Sequence, residues 1–143
     1  MNTKPVRIFV VEDNEPDLIL IREALRMTGL KCEITHFKDG AEALAGLERI
    51  GNTGEPIPDL IFLDLNIPKI TGLEVLVSAR SKTILQKVPI VILTSSQSHD
   101  DRSQSLGLGA TSYVTKPFEL NEFLTDVCDI AMQLLSKPVQ QHA

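Results

Sequence analysis

Three unbroken apolar runs stand out along the chain: Ile8-Phe9-Val10-Val11, Leu60-Ile61-Phe62-Leu63 and Ile90-Val91-Ile92-Leu93. Each is too short for a helix and rich in β-branched residues. Such runs predict strands buried on both faces, the pattern of a parallel sheet. Glu33 to Phe37 and Tyr113-Val114-Thr115 predict two further strands. Between them the apolar spacing turns helical. Leu18, Ile21 and Leu25 share one face of a helix that starts near Pro16 and stops at Gly29. Asp39 caps a second helix with Ala43, Leu44 and Leu47 as its apolar face. Gly51 to Pro58 reads as a loop by composition, and a third helix starts near Thr71 or Gly72. Ser98-His99-Asp100-Asp101 has the form of a capping box opening a polar helix, which ends around Gly107 and Gly109. The last helix carries Leu120, Phe123, Leu124, Val127, Ala131 and Leu134.

Strands and helices thus alternate five times, without an internal repeat. Short connections and right-handed crossovers favour an α/β fold: a flavodoxin-like, doubly wound three-layer sandwich with five parallel strands and five helices. The strand order 2-1-3-4-5 is taken over from folds of this type rather than derived from these residues. The 143 residues are expected to form a single domain, with a core at about 6–136 and a polar tail at 137–143.

Composition narrows the partners. Lys and Arg number 14 against 19 Asp and Glu, a net charge of -5, which argues against a nucleic-acid footprint. No apolar run approaches the ~20 residues that span a bilayer, and the N-terminus lacks a signal-peptide pattern. The expected location is the cytoplasm, with no membrane partner. Cys32 and Cys128 lie in apolar-rich segments without metal-ligand spacing and read as packing residues. His36, His99 and His142 are scattered and receive no role.

The chemistry gathers where ligands bind in such sheets, at the carboxyl ends of the strands. The first strand delivers Glu12 and Asp13, the third Asp64, the fourth Thr94 and Ser95, and the fifth Lys116 followed by Pro117. Three carboxylates crowded together repel, and one takes up a proton unless a cation is present. An all-oxygen donor set suits Mg²⁺, and the absence of His and Cys at these tips argues against zinc. Asp64, directly after an apolar strand, is the best nucleophile: a carboxylate can accept a phosphoryl group as an acyl phosphate. Phosphoryl transfer needs positioning and charge neutralisation, which Mg²⁺ and Lys116 can supply while Thr94 donates a hydrogen bond.

Each residue also has an ordinary structural use. Glu12 and Asp13 can cap a helix, Asp64 can cap a turn, Lys116 can be a solvated charge, Thr94 a strand-end hydroxyl and Tyr113 a half-buried packing residue. Those uses do not explain why all of these types end strands on one side of the sheet.

Four segments together resemble the receiver domain of two-component response regulators. They are Val10-Val11-Glu12-Asp13-Asn14, Leu63-Asp64-Leu65-Asn66-Ile67-Pro68 with Gly72, Leu93-Thr94-Ser95, and Tyr113-Val114-Thr115-Lys116-Pro117-Phe118. The resemblance runs from about Arg7 to about Leu135. It implies a signalling switch rather than a metabolic enzyme, one that catalyses only its own phosphorylation from a kinase phosphohistidine and a slow dephosphorylation. It implies Asp64 as phosphoacceptor, with Asp13 and Asp64 as direct Mg²⁺ ligands. The backbone carbonyl of Asn66 is a further ligand, and Glu12, in place of a more usual Asp, acts through a bound water. Lys116 pairs with the phosphoryl group, the Lys116–Pro117 bond is cis, and Thr94 and Tyr113 form a switch pair. The Gly51–Pro58 stretch, Asn66-Ile67-Pro68-Lys69 and Thr94-Ser95-Ser96 are similar to single-domain regulators paired with phytochrome-type histidine kinases. With no residues left for an output domain, the signal is expected to leave by protein contacts. One such contact is a homodimer through the fourth helix, fifth strand and fifth helix.

Other functions fit less well. An aspartyl-nucleophile phosphatase usually needs a second acid beside the nucleophile and a cap domain, but Leu65 and Asn66 follow Asp64. A flavin carrier needs a Ser/Thr-rich phosphate loop where acids stand here. A pseudo-receiver that binds partners without phosphorylation is disfavoured by the intact Asp13, Asp64 and Lys116.

Overall fold

A computed structural model describes residues 4–135. The elements are β1 (Val6–Val11), α1 (Glu15–Arg26), β2 (Cys32–Phe37), α2 (Gly40–Thr53), β3 (Leu60–Leu63), α3 (Gly72–Ser81), a short 3-10 turn (Thr83–Leu85), β4 (Ile90–Thr94), α4 (His99–Gly107), β5 (Ser112–Thr115) and α5 (Leu120–Leu135). All strand pairs are parallel, in the order β2-β1-β3-β4-β5. The fold is the flavodoxin-like doubly wound sandwich expected from the sequence. The polar tail expected at 137–143, and His142 within it, lie outside the described residues.

The apolar runs are continuous because alternate residues serve two cores. Ile8, Val10, Leu60, Phe62, Val91 and Leu93 pack with α1 and α5. Val11, Ile61, Leu63, Ile90 and Ile92 pack with α2 and α3 on the other face. Cys32 and Cys128 are free thiols, partly buried against the first of these layers, in keeping with a packing role.

Local side chains set where the helices begin. Asn14 Oδ1 accepts from the Asp17 N–H (2.9 Å), Asp39 Oδ1 from Glu42 (2.8 Å), Thr71 Oγ1 from Glu74 (3.3 Å) and Ser98 Oγ from Asp101 (3.1 Å). Glu119 Oε1 accepts from the Glu122 N–H (2.8 Å) at the start of α5.

One boundary differs from the sequence expectation. Gly51, Asn52 and Thr53 continue α2 instead of opening a loop. Ile50 is anchored in the core, and the Thr53 hydroxyl donates to the Arg49 carbonyl (2.6 Å), so the helix runs on to Gly54. Gly54 ends it with φ 75°, a left-handed conformation that glycine adopts without a Cβ penalty.

Candidate functional site

The parallel ladder continues one residue beyond the ends of β1, β3 and β5 and sets the site. The Glu12 N–H donates to the Phe37 carbonyl (3.0 Å), Asp64 to Val11 (3.1 Å) and Lys116 to Thr94 (2.8 Å). Glu12, Asp64, Thr94 and Lys116 are therefore held by sheet hydrogen bonds at neighbouring strand ends, and all are buried. Gly72 starts α3 against this backbone. A Cβ there would collide with the Asp64 carbonyl oxygen and Leu65 Cα, so α3 can approach the Asp64 turn this closely only with glycine.

Glu12, Asp13 and Asp64 each bring a carboxylate oxygen to within 4.8 Å of the others, as the strand order predicts. Asp13 is exposed and Glu12 only 2% exposed. This oxygen-only donor set fits a hard divalent cation. Asn66 stands two residues beyond Asp64, and its backbone N–H donates to Asp64 Oδ1 (3.1 Å). The Asn14 N–H donates to Glu12 Oε2 (3.2 Å).

Lys116 supplies the positive charge. Its Nζ lies 2.9 Å from Glu12 Oε1, 3.0 Å from Asp64 Oδ2 and 2.7 Å from Asp17 Oδ2. Burial pushes the Glu12 carboxyl up to about 7 and outweighs its bond to Lys116, while the charge of Asp64 raises it further. At Lys116 the balance is reversed. Burial alone would lower its pKa, but the bonds to Asp17 and Glu12 and the charges of Asp64 and Glu12 raise it, so the ammonium stays protonated.

Thr94 is fully buried at the end of β4, and its Oγ1 accepts from the Ser96 N–H at 3.5 Å. Tyr113 is buried as well, with its hydroxyl donating to the Ser96 carbonyl at 2.9 Å. The Tyr113 ring is thus packed inward beside the end of β4. The Lys116–Pro117 bond is trans, contrary to expectation, as is every peptide bond among the described residues. The trans form is the intrinsically favoured one even before proline.

Three participants were not read from the sequence. Asp17 resembles an ordinary first-turn helix acid, and nothing local shows that it meets a lysine 99 residues away. In the sequence Ser96 stands only as part of a Thr-Ser-Ser run. His36, assigned no role, places Nε2 2.7 Å from the Glu12 carbonyl oxygen across the β1–β2 edge.

A family model for the response regulator receiver domain matches residues 8–128. The chain belongs to this family. The receiver domain is 37% identical to the response regulator Rcp1 of Synechocystis sp. over 119 residues, covering 82% of this chain and 81% of that protein. It is also similar to the crystal structure of the phosphorylated cyanobacterial phytochrome response regulator RcpA. That match has a TM-score of 0.88 and 38% identity over 95% of this chain and 98% of the other. The Mn²⁺-bound form of Rcp1 matches with a TM-score of 0.85 and 34% identity, over 94% and 98% of the two chains. This domain is therefore a two-component signalling receiver with an acidic pocket of the kind that holds a divalent metal, and phytochrome-associated proteins are among its relatives. Among the described residues, no helix is long and apolar enough to cross a membrane.

Proposed function

We propose that this receiver takes a phosphoryl group from the phosphohistidine of a sensor histidine kinase onto Asp64, with Mg²⁺ in the acidic pocket. The observation that carries this reading is the placement of Asp64 between Lys116, 3.0 Å from its Oδ2, and the oxygens of Glu12 and Asp13. The phosphorus–nitrogen bond of the donor breaks, its electron pair stays on the imidazole, and an Asp64 oxygen forms the new bond to phosphorus. Asp64 and Asp13 would hold the metal directly, the Asn66 backbone carbonyl would add a ligand and Glu12 would act through water. When bound, the ion supplies positive charge against the phosphoryl oxygens. The Lys116 ammonium donates to one of those oxygens and the Thr94 hydroxyl to another. Slow hydrolysis of the acyl phosphate resets the domain.

The likeness to the phytochrome response regulator RcpA supports a phytochrome-class kinase as the donor. Output is a contact through α4, β5 and α5, made by a second copy of this domain and strengthened by phosphorylation. Exposed Leu106, Leu108 and Met132 support that choice of face. Sedimentation with Mg²⁺ and a phosphoryl mimic should show a larger dimer fraction than without them. A monomer in both conditions would leave a different protein as the receiver's target.

The chemical test of the acceptor is reductive trapping. Borohydride converts an aspartyl phosphate to homoserine, and peptide mass spectrometry should find it at position 64 after incubation with the phosphorylated kinase. Homoserine at any other position would contradict the assignment.

A further inference from the structure

A lysine ammonium carries three N–H donors, and three carboxylates surround that of Lys116. Two of them, Glu12 and Asp64, belong to the cluster that suits a cation, whereas Asp17 does not. Asp17 projects from the first turn of α1 and makes the shortest of the three contacts, 2.7 Å against 2.9 and 3.0 Å. It is also the most accessible, with its side chain 24% exposed.

This arrangement sets up a competition. A divalent ion entering the cluster meets Glu12 and Asp64 already bonded to an ammonium, and the two cations repel. Lys116 must retreat without leaving the site, because the incoming phosphoryl group also needs it. Of its three partners, Asp17 alone offers negative charge outside the cluster. Asp17 and Lys116 also share the wall of a cavity of about 290 Å³ with Ser95 and Pro117, so the ammonium has room to move that way.

We propose that Asp17 is a positioning residue that draws the Lys116 ammonium away from the Glu12–Asp13–Asp64 cluster, so that the lysine serves the phosphoryl group without competing with the metal. This rests on the reading of that cluster as a Mg²⁺ site. Asp17 itself touches neither metal nor phosphoryl group and acts through Lys116. Its loss leaves the ammonium bonded only to the two carboxylates the metal needs.

The test is calorimetric titration with Mg²⁺, which reads binding rather than phosphorylation. Asp17→Asn should weaken binding about three- to tenfold, within the usual range for directly coupled residues. Glu15→Gln removes the same charge from the same exposed turn, where Glu15 has no bond to Lys116. That variant should stay within about twofold of wild type. Lys116→Met should tighten binding, and adding Asp17→Asn to it should change nothing further. Equal losses in Asp17→Asn and Glu15→Gln would reduce the effect to general charge and overturn the proposal. So would wild-type affinity in Asp17→Asn, or an undiminished Asp17→Asn loss in the Lys116→Met background. If Lys116→Met does not fold, the comparison with Glu15→Gln decides alone. A wild-type protein that binds no Mg²⁺ would overturn the metal-site reading, and this inference with it.

Discussion

The Tyr113 hydroxyl donates to the Ser96 carbonyl oxygen across 2.9 Å, and Ser96 in turn donates its N–H toward Thr94 Oγ1. One residue therefore touches both members of the expected switch pair. Ser96 also reaches α4, where its hydroxyl donates to Asp101 Oδ2 at 2.5 Å. From the other side, Arg102 of α4 stacks over the Tyr113 ring at 5.7 Å and donates to the Tyr113 carbonyl. A shift of Thr94 toward a phosphoryl group would be felt at Ser96 first, and through it at Tyr113 and α4.

Tyr113→Phe should therefore loosen the start of α4. The lost hydrogen bond leaves a partly buried carbonyl without this donor, at a cost of about 0.5–1.5 kcal/mol. Thermal unfolding should show the loss, and hydrogen exchange should speed up in α4 more than in α5. Ser105 is the one buried side chain in α4, so polar contacts such as Ser96–Asp101 and Arg102–Tyr113 do much of the holding. Unchanged α4 exchange would remove Ser96 from the coupling between site and output face.

The buried Glu12 predicts how stability depends on pH without metal. Its folded pKa is raised from 4.5 to about 7, chiefly by burial. Below about pH 4.5 both folded and unfolded chains hold the proton, and the group contributes nothing. Between 4.5 and 7 the folded chain binds more protons than the unfolded one, so raising the pH destabilises it, and above 7 the full penalty is present. Glu12→Gln in chelator should thus raise the melting temperature at pH 8 and have a much smaller effect at pH 5. A constant difference across that range would contradict the assignment.

Mg²⁺ binding should separate the two acids at the end of β1. Asp13→Ala should weaken it more than Glu12→Ala, because a direct ligand contributes more than one acting through water. Calorimetric titration checks the order. Equal losses would overturn the division of roles.

Much of this was legible in the sequence because the controlling signals are local. Ile8 to Val11 and Ile90 to Leu93 read as doubly buried strands because no polar residue interrupts them, and the structure splits each run between two cores. In the strand order of related folds the three carboxylates must converge, since Glu12, Asp13 and Asp64 follow adjacent strands. Asp17 was not legible. Its meeting with Lys116 depends on how α1 and the end of β5 are packed, which no spacing encodes. The end of α2 departs from the sequence expectation for a related reason. Gly51-Asn52-Thr53 has loop composition, but Ile50 in the core and the Thr53 hydroxyl keep it helical. The conformation of Tyr113 depends likewise on a carbonyl 17 residues away.

Intact-mass measurement after incubation with Mg²⁺ and a small phosphodonor decides whether Asp64 is the phosphoacceptor. The wild-type protein should gain the mass of one phosphoryl group, lose it slowly after the donor is removed, and gain nothing when Mg²⁺ is chelated. Asp64→Asn keeps the size of the side chain and much of its hydrogen bonding but removes the nucleophilic carboxylate, so it should stay at its starting mass throughout. An Asp64→Asn protein that labels as fast and as fully as wild type would place the phosphoryl group on another residue.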